Sequence, residues 1–106
     1  MSVDDDRVEP LSGAQRKHLR GLAHHVNPVV HVGRNGVTDP VIQEIAEALD
    51  SHELIKVKLV DPQGRKKDLA NEIASRSGGT RVGLVGNIVT LYRQHPDLEK
   101  RKVEVP

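Results

Sequence analysis

Between Ser12 and Arg93 the apolar residues change spacing again and again, and this alternation limits the folds open to the chain. In "LSGAQRKHLRGLAHHV", Leu19, Leu22, Ala23 and Val26 recur at i, i+3, i+4, i+7, the stripe of a helix. Ser12, with Gln15 three places on, forms a capping box that starts it. Asn27-Pro28 stops it. "VVHV" is a β-branched run, expected as a short strand. A helical stripe returns at Val41, Ile42, Ile45, Ala46 and Leu49, opened by Thr38 or Asp39 as N-cap with Pro40 in the first turn. "ELIKVKLV" from Glu53 alternates as a strand, with Ile55, Val57 and Leu59 one way and Lys56 and Lys58 the other. "DPQG" is a turn. Leu69, Ala70, Ile73 and Ala74 predict a third helix from about Arg65 to Ser77, capped by Gly78. "TRVGLV" and "IVTLYR" flank Gly86-Asn87, a two-residue hairpin signal. The predicted order is α-β-α-β-α-β-β: a single compact α/β domain with a four-stranded mixed sheet packed by helices.

A chain of 106 residues suits one such domain. The expected organisation is an acidic disordered leader over residues 1–10, a folded body over 11–94 and a charged tail over 95–106. The leader sets Asp4, Asp5, Asp6 and Glu9 against Arg7, a local charge of −3. The whole chain is +1, so the remainder carries +4. That modest basicity permits nucleic-acid binding without demanding it. Cysteine is absent, which excludes disulfides, thiolate catalysis and cysteine-based zinc sites. Phe and Trp are also absent, and Tyr92 is the only aromatic. Readers that stack several bases on aromatic rings are thereby excluded. No stretch is apolar for long enough to span a membrane, and the first residues lack a signal-peptide core, so a cytoplasmic location is expected.

The stretch "VVHVGRNGVTDPV" places Gly33, Arg34, Asn35 and Gly36 between a strand and the start of a helix. Glycines let the backbone reach positive φ and approach a ligand closely. The following helix presents unpaired N–H groups and the positive end of its dipole. Arg34 adds a planar fork of donors, and Asn35 can donate to a phosphate or a base edge. Two glycines at this spacing are also what a tight strand-to-helix connection can use, so the loop alone leaves both readings open. It is neither a Walker loop nor a dinucleotide fingerprint. KH domains clamp RNA with the same spacing, but between two helices.

Arg16, Lys17, Arg20 and His24 fall opposite the apolar stripe of the first helix, as a solvated face or as part of an RNA-facing surface. Arg65, Lys66 and Lys67 begin the third helix, where the dipole disfavours positive charge by a few tenths of a kcal/mol to ~1 each. A local rule broken without visible gain points to function. Glu44, Glu47 and Asp50 make the outer side of the second helix acidic and unsuited to phosphates.

"LRGLAHHVNPVVHVGRNGVTDPVIQEIAEALDSHELIKVKL", with "VGLVGNIVTLYR" downstream, resembles a CRM domain (chloroplast RNA splicing and ribosome maturation). The resemblance runs from about Leu11 to Arg93, and "HELIKVK" and "LYR" are its most specific parts. It is that of the stand-alone bacterial YhbY type. It implies a fold similar to the C-terminal domain of translation initiation factor three. It implies RNA binding without catalysis, by an assembly factor acting on precursors of the large ribosomal subunit. It also implies that Gly33, Arg34, Asn35 and Gly36 contact RNA. Many members have a basic residue where this chain has Asn87.

The expected RNA-binding set is Gly33, Arg34, Asn35, Gly36, Arg16, Lys17, Arg20, Arg65, Lys66 and Lys67. Lys56, Lys58 and Arg93 are weaker candidates, because helices could cover the sheet. No cofactor is expected. Six histidines (His18, His24, His25, His31, His52, His95) raise the possibility of an enzyme or metal site. Adjacent His24 and His25 point about 100° apart on a helix, and "HELIK" lacks the second histidine of a zincin, so neither site is expected. The alternative is a protein-interaction module, with the acidic second helix and the tail docking a ribosomal protein, or a binder of other structured RNA. A monomer is expected.

Overall fold

The computed structural model describes residues 11–60 and 62–105. The leader expected over residues 1–10 lies outside them. Ser12 opens α1 (Gly13–Ala23) with the predicted capping box: its Oγ accepts the Gln15 N–H at 3.0 Å, and Gln15 Oε1 accepts the Ser12 N–H at 2.9 Å. Two donors that a helix start leaves orphaned are thus satisfied. Leu19 and Ala23 are buried, but Leu22 remains 39% exposed. Val26 falls beyond the helix, so the inward stripe is narrower than its spacing implied.

The chain continues as β1 (Pro28–Val32), α2 (Asp39–His52), β2 (Leu54–Leu59), α3 (Lys66–Ser77), β3 (Thr80–Val85) and β4 (Ile88–Tyr92), then a 3-10 turn at Leu98–Lys100. Thr38, not Asp39, caps α2, its Oγ1 accepting the Val41 N–H at 3.3 Å. Arg65 stands at the N-cap of α3 without a side-chain cap bond, so the helix begins one residue later than expected.

The strand order is β1-β2-β4-β3. β1 and β2 are parallel, while β4 runs antiparallel to both neighbours, giving the predicted mixed sheet. Parallel neighbours need a crossover, and α2 supplies it between β1 and β2. β3 runs in the direction of β2 with β4 between them, and α3 carries the chain across.

Alternation along the strands then builds two cores. Val30, Val32, Ile55, Val57, Leu59, Val89 and Leu91 meet Ile45, Leu49 and Ile73 of α2 and α3 on one face. Leu54, Val82 and Tyr92 meet Leu19 and Ala23 of α1 on the other.

Glu53 departs from the sequence reading. It is not the first strand residue but the C-cap of α2, at φ +63. Its side chain is fully buried. The carboxylate accepts N–H groups from His95 at 2.5 Å, Lys102 at 2.6 Å and Val103 at 2.9 Å. The charged segment after His95 therefore folds back, and Val103 and Val105 join Leu11 against the α1 core. Burial pushes the Glu53 carboxyl up, but the three backbone donors and the Arg101 charge outweigh it. The net effect is to hold the group below the ordinary carboxylate value.

Candidate nucleic-acid interface

Because β1 and β2 are parallel, both finish at one end of the sheet. The Val60 N–H donates to Val32 O at 2.8 Å, and the Leu59 N–H donates to Asn87 O at 2.8 Å. The Gly33–Gly36 loop, Val60 at the end of β2 and the Gly86-Asn87 turn are thereby gathered at that end.

Within the loop, Gly36 N–H donates to Gly33 O at 3.0 Å, closing a turn. Gly36 sits at φ +76, where a side chain is strained. Gly33 has no such need: its φ is not in the left-handed region, and a Cβ built there meets nothing within 4 Å. The connection thus asks for glycine at one of the two positions. With Thr38 and Val41, residues 33–36 line a shallow cleft of about 210 Å³ at the start of α2.

Arg76, from the last turn of α3, anchors the far side of this loop. One guanidinium nitrogen donates to Val37 O at 3.2 Å and another to Asp39 at 2.5 Å. Glu72 pairs with the same side chain at 3.2 Å. Asp39 is the one acid in the first turn of α2, and Arg76 offsets its charge beside the cleft. Sequence reasoning missed Arg76, because the contact crosses two helices.

The structure separates the expected basic residues. Arg16 donates to Arg81 O at 2.6 Å and Arg20 to Val82 O at 3.1 Å, where β3 bulges. A Cβ on Gly83 would lie 3.2 Å from Arg20 Cδ, so this glycine makes room for the arginine stem. Both arginines, read as facing solvent, thus brace α1 on β3 with one nitrogen each. Lys17 is exposed. Arg65, Lys66 and Lys67 are exposed as well, but Lys66 is ten residues from Arg76, about 15 Å along α3. Arg93 is held by Ser77 O, Ala46 O and Asp50 at the other end of the sheet. Lys58 is exposed and Lys56 half-buried, on the sheet face that α1 covers only in part.

Charge is divided unevenly among the helices and strands. From Leu11 to Thr38 there is no Asp or Glu, nor in β2, β3 or β4. Glu44, Glu47, Asp50, Asp68 and Glu72 all belong to α2 and α3. A count of acids by segment could have revealed this polarity. Tyr92 is 5% exposed, so the one phenyl-type ring is withdrawn from any ligand. Among the described residues, no three His, Asp or Glu side chains come together as metal ligands, and no helix is long and apolar enough to cross a membrane.

Residues 11–93 match the family model of the CRS1/YhbY (CRM) domain. The chain belongs to the CRM family. The match ends two residues before His95, so the Glu53 bonds are made to a segment beyond the CRM match. Two bacterial relatives cover most of the chain. An "RNA-binding protein" of Haemophilus influenzae is 43% identical over 91% of this chain and 95% of its own length. The "Probable RNA-binding protein YqeI" of Bacillus subtilis is 38% identical over 91% of this chain and 99% of its own. A chloroplastic group IIA intron splicing facilitator of Zea mays is 34% identical over 78% of this chain, which spans 12% of that longer protein. A Staphylococcus aureus protein solved in solution superimposes with TM-score 0.77 and 30% identity, covering 92% of this chain and all of the other.

Proposed function

We infer that this CRM protein binds RNA, and that it acts without catalysis as an assembly factor on ribosomal RNA of the large-subunit precursor. Membership of the family and the names of its relatives support RNA as the ligand. The ribosomal step rests on what the family resemblance implies for bacterial members.

The observation that carries the gripping mechanism is Gly33, a glycine that neither backbone conformation nor crowding requires. A bare backbone there lets an RNA phosphate approach the N–H groups at the start of α2. Arg34 and Asn35 stand beside it, and Lys17 and the Arg65–Lys67 cluster extend the positive field. Arg16 and Arg20 retain further guanidinium donors beyond those spent on β3.

Native lysate fractionated on a sucrose gradient tests this reading. The wild type should sediment with large-subunit precursors, and an Arg34→Glu, Lys17→Glu variant should remain at the top. Both forms at the top at low salt would sink the ribosomal role. The melting temperature of the variant should stay within a few degrees of wild type, since surface substitutions usually change stability by under ~0.5 kcal/mol.

A further inference from the structure

The sheet face shared with α1 is only half covered. α1 lies over Leu54, Val82 and Tyr92, at the end away from the Gly33–Gly36 loop. At the loop end, strand register sets four residues in one row on that face. His31 is beside Lys58, Lys58 beside Ile88, and Ile88 beside Val85. His31 and Lys58 are exposed, Ile88 is half-exposed and Val85 is 76% exposed. The next row inward places Lys56 beside Thr90, and Thr90 beside Gly83. Arg20 lies against Gly83. The ion pairs of Arg76 with Asp39 and Glu72, and of Arg93 with Asp50, engage acids of the opposite layer. Among the described residues, no ion pair takes up Lys56 or Lys58.

We propose that this open platform, centred on Lys58 and Lys56, is a second contact surface for the sugar-phosphate backbone of helical RNA, continuous with the loop. The inference rests on the reading of the chain as an RNA binder, and it names the form of RNA. Charge supplies the first argument: two lysines that form no ion pair among the described residues face outward on strands that carry no acid. Topology supplies the second, since Lys58 is one residue from the end of β2, at the same end as the loop. The ligand form follows from the rings. Binders of single strands stack successive bases on aromatic platforms. This platform presents one ring, the His31 imidazole, and the only tyrosine is buried beneath α1. Helical RNA instead offers a wide, shallow minor groove of riboses between two phosphate rails. Val85 and Ile88 would lie against riboses while the lysines reach phosphates.

The test measures fluorescence anisotropy of a labelled 20-base-pair RNA hairpin and of polyuridylate of equal length, between about 50 and 200 mM salt. Wild type is compared with Lys56→Gln/Lys58→Gln, Lys56→Arg/Lys58→Arg and Arg34→Glu. The hairpin should bind wild type more tightly. The glutamine pair should weaken that binding on the order of tenfold and flatten the salt slope by about two phosphate contacts, at ~0.9 each. The arginine pair should retain both, and all variants should melt like wild type.

Unchanged affinity and slope in the glutamine pair, with binding lost in Arg34→Glu, would overturn the platform and leave the loop. Loss in the glutamine pair with Arg34→Glu unaffected would keep the platform and remove the loop. Tighter binding of polyuridylate, or binding insensitive to every variant, would overturn the proposal.

Discussion

Glu53 shows how much one side chain can organise. Its carboxylate ties three peptide N–H groups of the segment after Arg93 to the C-terminus of α2. Hydrogen bonds to a charged acceptor contribute ~1.5–3 kcal/mol in favourable cases. Glu53→Gln, which turns one acceptor into a donor facing N–H groups, should cost roughly 2–3 kcal/mol in chemical denaturation and release residues 95–105 to faster amide exchange. The group's pKa is lowered in the folded state. Its stabilisation is therefore complete above the unfolded Glu value of about 4.3 and is lost as pH falls through the lower folded value. Wild type should lose stability in that acid window, and Glu53→Gln should lose less. Nothing in "SHELIK" announces this role. The donors are backbone groups of a segment more than forty residues away, which pattern reading cannot pair with a given acid.

At the level of elements, legibility followed the range of the forces. Caps and turns depend on neighbours a few residues apart. Ser12 with Gln15, Thr38 and Gly78 were accordingly readable, as were the strands flanking Gly86-Asn87. The inward stripe of α1 was only partly readable. Leu22 has the right spacing, but it lines an open cleft with Val29 and Leu54 and stays partly in water. Arg16 and Arg20 looked like solvent-facing charges because their acceptors, the bulged carbonyls of β3, are far off in sequence. Arg76 was invisible for the same reason. Arg76→Ala should remove the tie between α3 and the loop. Amide exchange at residues 33–37 should rise and RNA affinity should fall several-fold. Global stability should drop by no more than ~1 kcal/mol, as expected for partly exposed ion pairs. A loss confined to stability, with the loop unchanged, would show that Arg76 merely joins the two helices.

For the whole molecule, the polarity of charge decides how it can meet a polyanion. Helix α1 and the strands carry no acid, while α2 and α3 carry several. A net charge of +1 conceals that division. RNA affinity should fall steeply with salt, and a change in the acids of α2, such as Glu44→Gln/Glu47→Gln, should leave it within about twofold, because those residues belong to the layer opposite the proposed platform. A large gain in affinity would mean that RNA wraps onto the helical layer. Fold class and family were legible from alternation and from the "HELIKVK" and "LYR" runs. The candidate site was legible as a loop but not as a surface, because strand order, which sets Lys58 beside Ile88, is a property of the folded sheet.

The burial of Tyr92 has a practical side. With no tryptophan in the chain, this ring is the sole source of near-ultraviolet fluorescence. It lies beneath α1, and both burial and the Glu53 carboxylate raise its pKa. Its emission therefore reports on the α1 core and the docked C-terminal segment, at the end of the sheet away from the loop. A ligand seated at the loop can leave that signal flat while it binds. Titrations followed by intrinsic emission would then look like failures, and a label placed near residue 34 would reveal the complex.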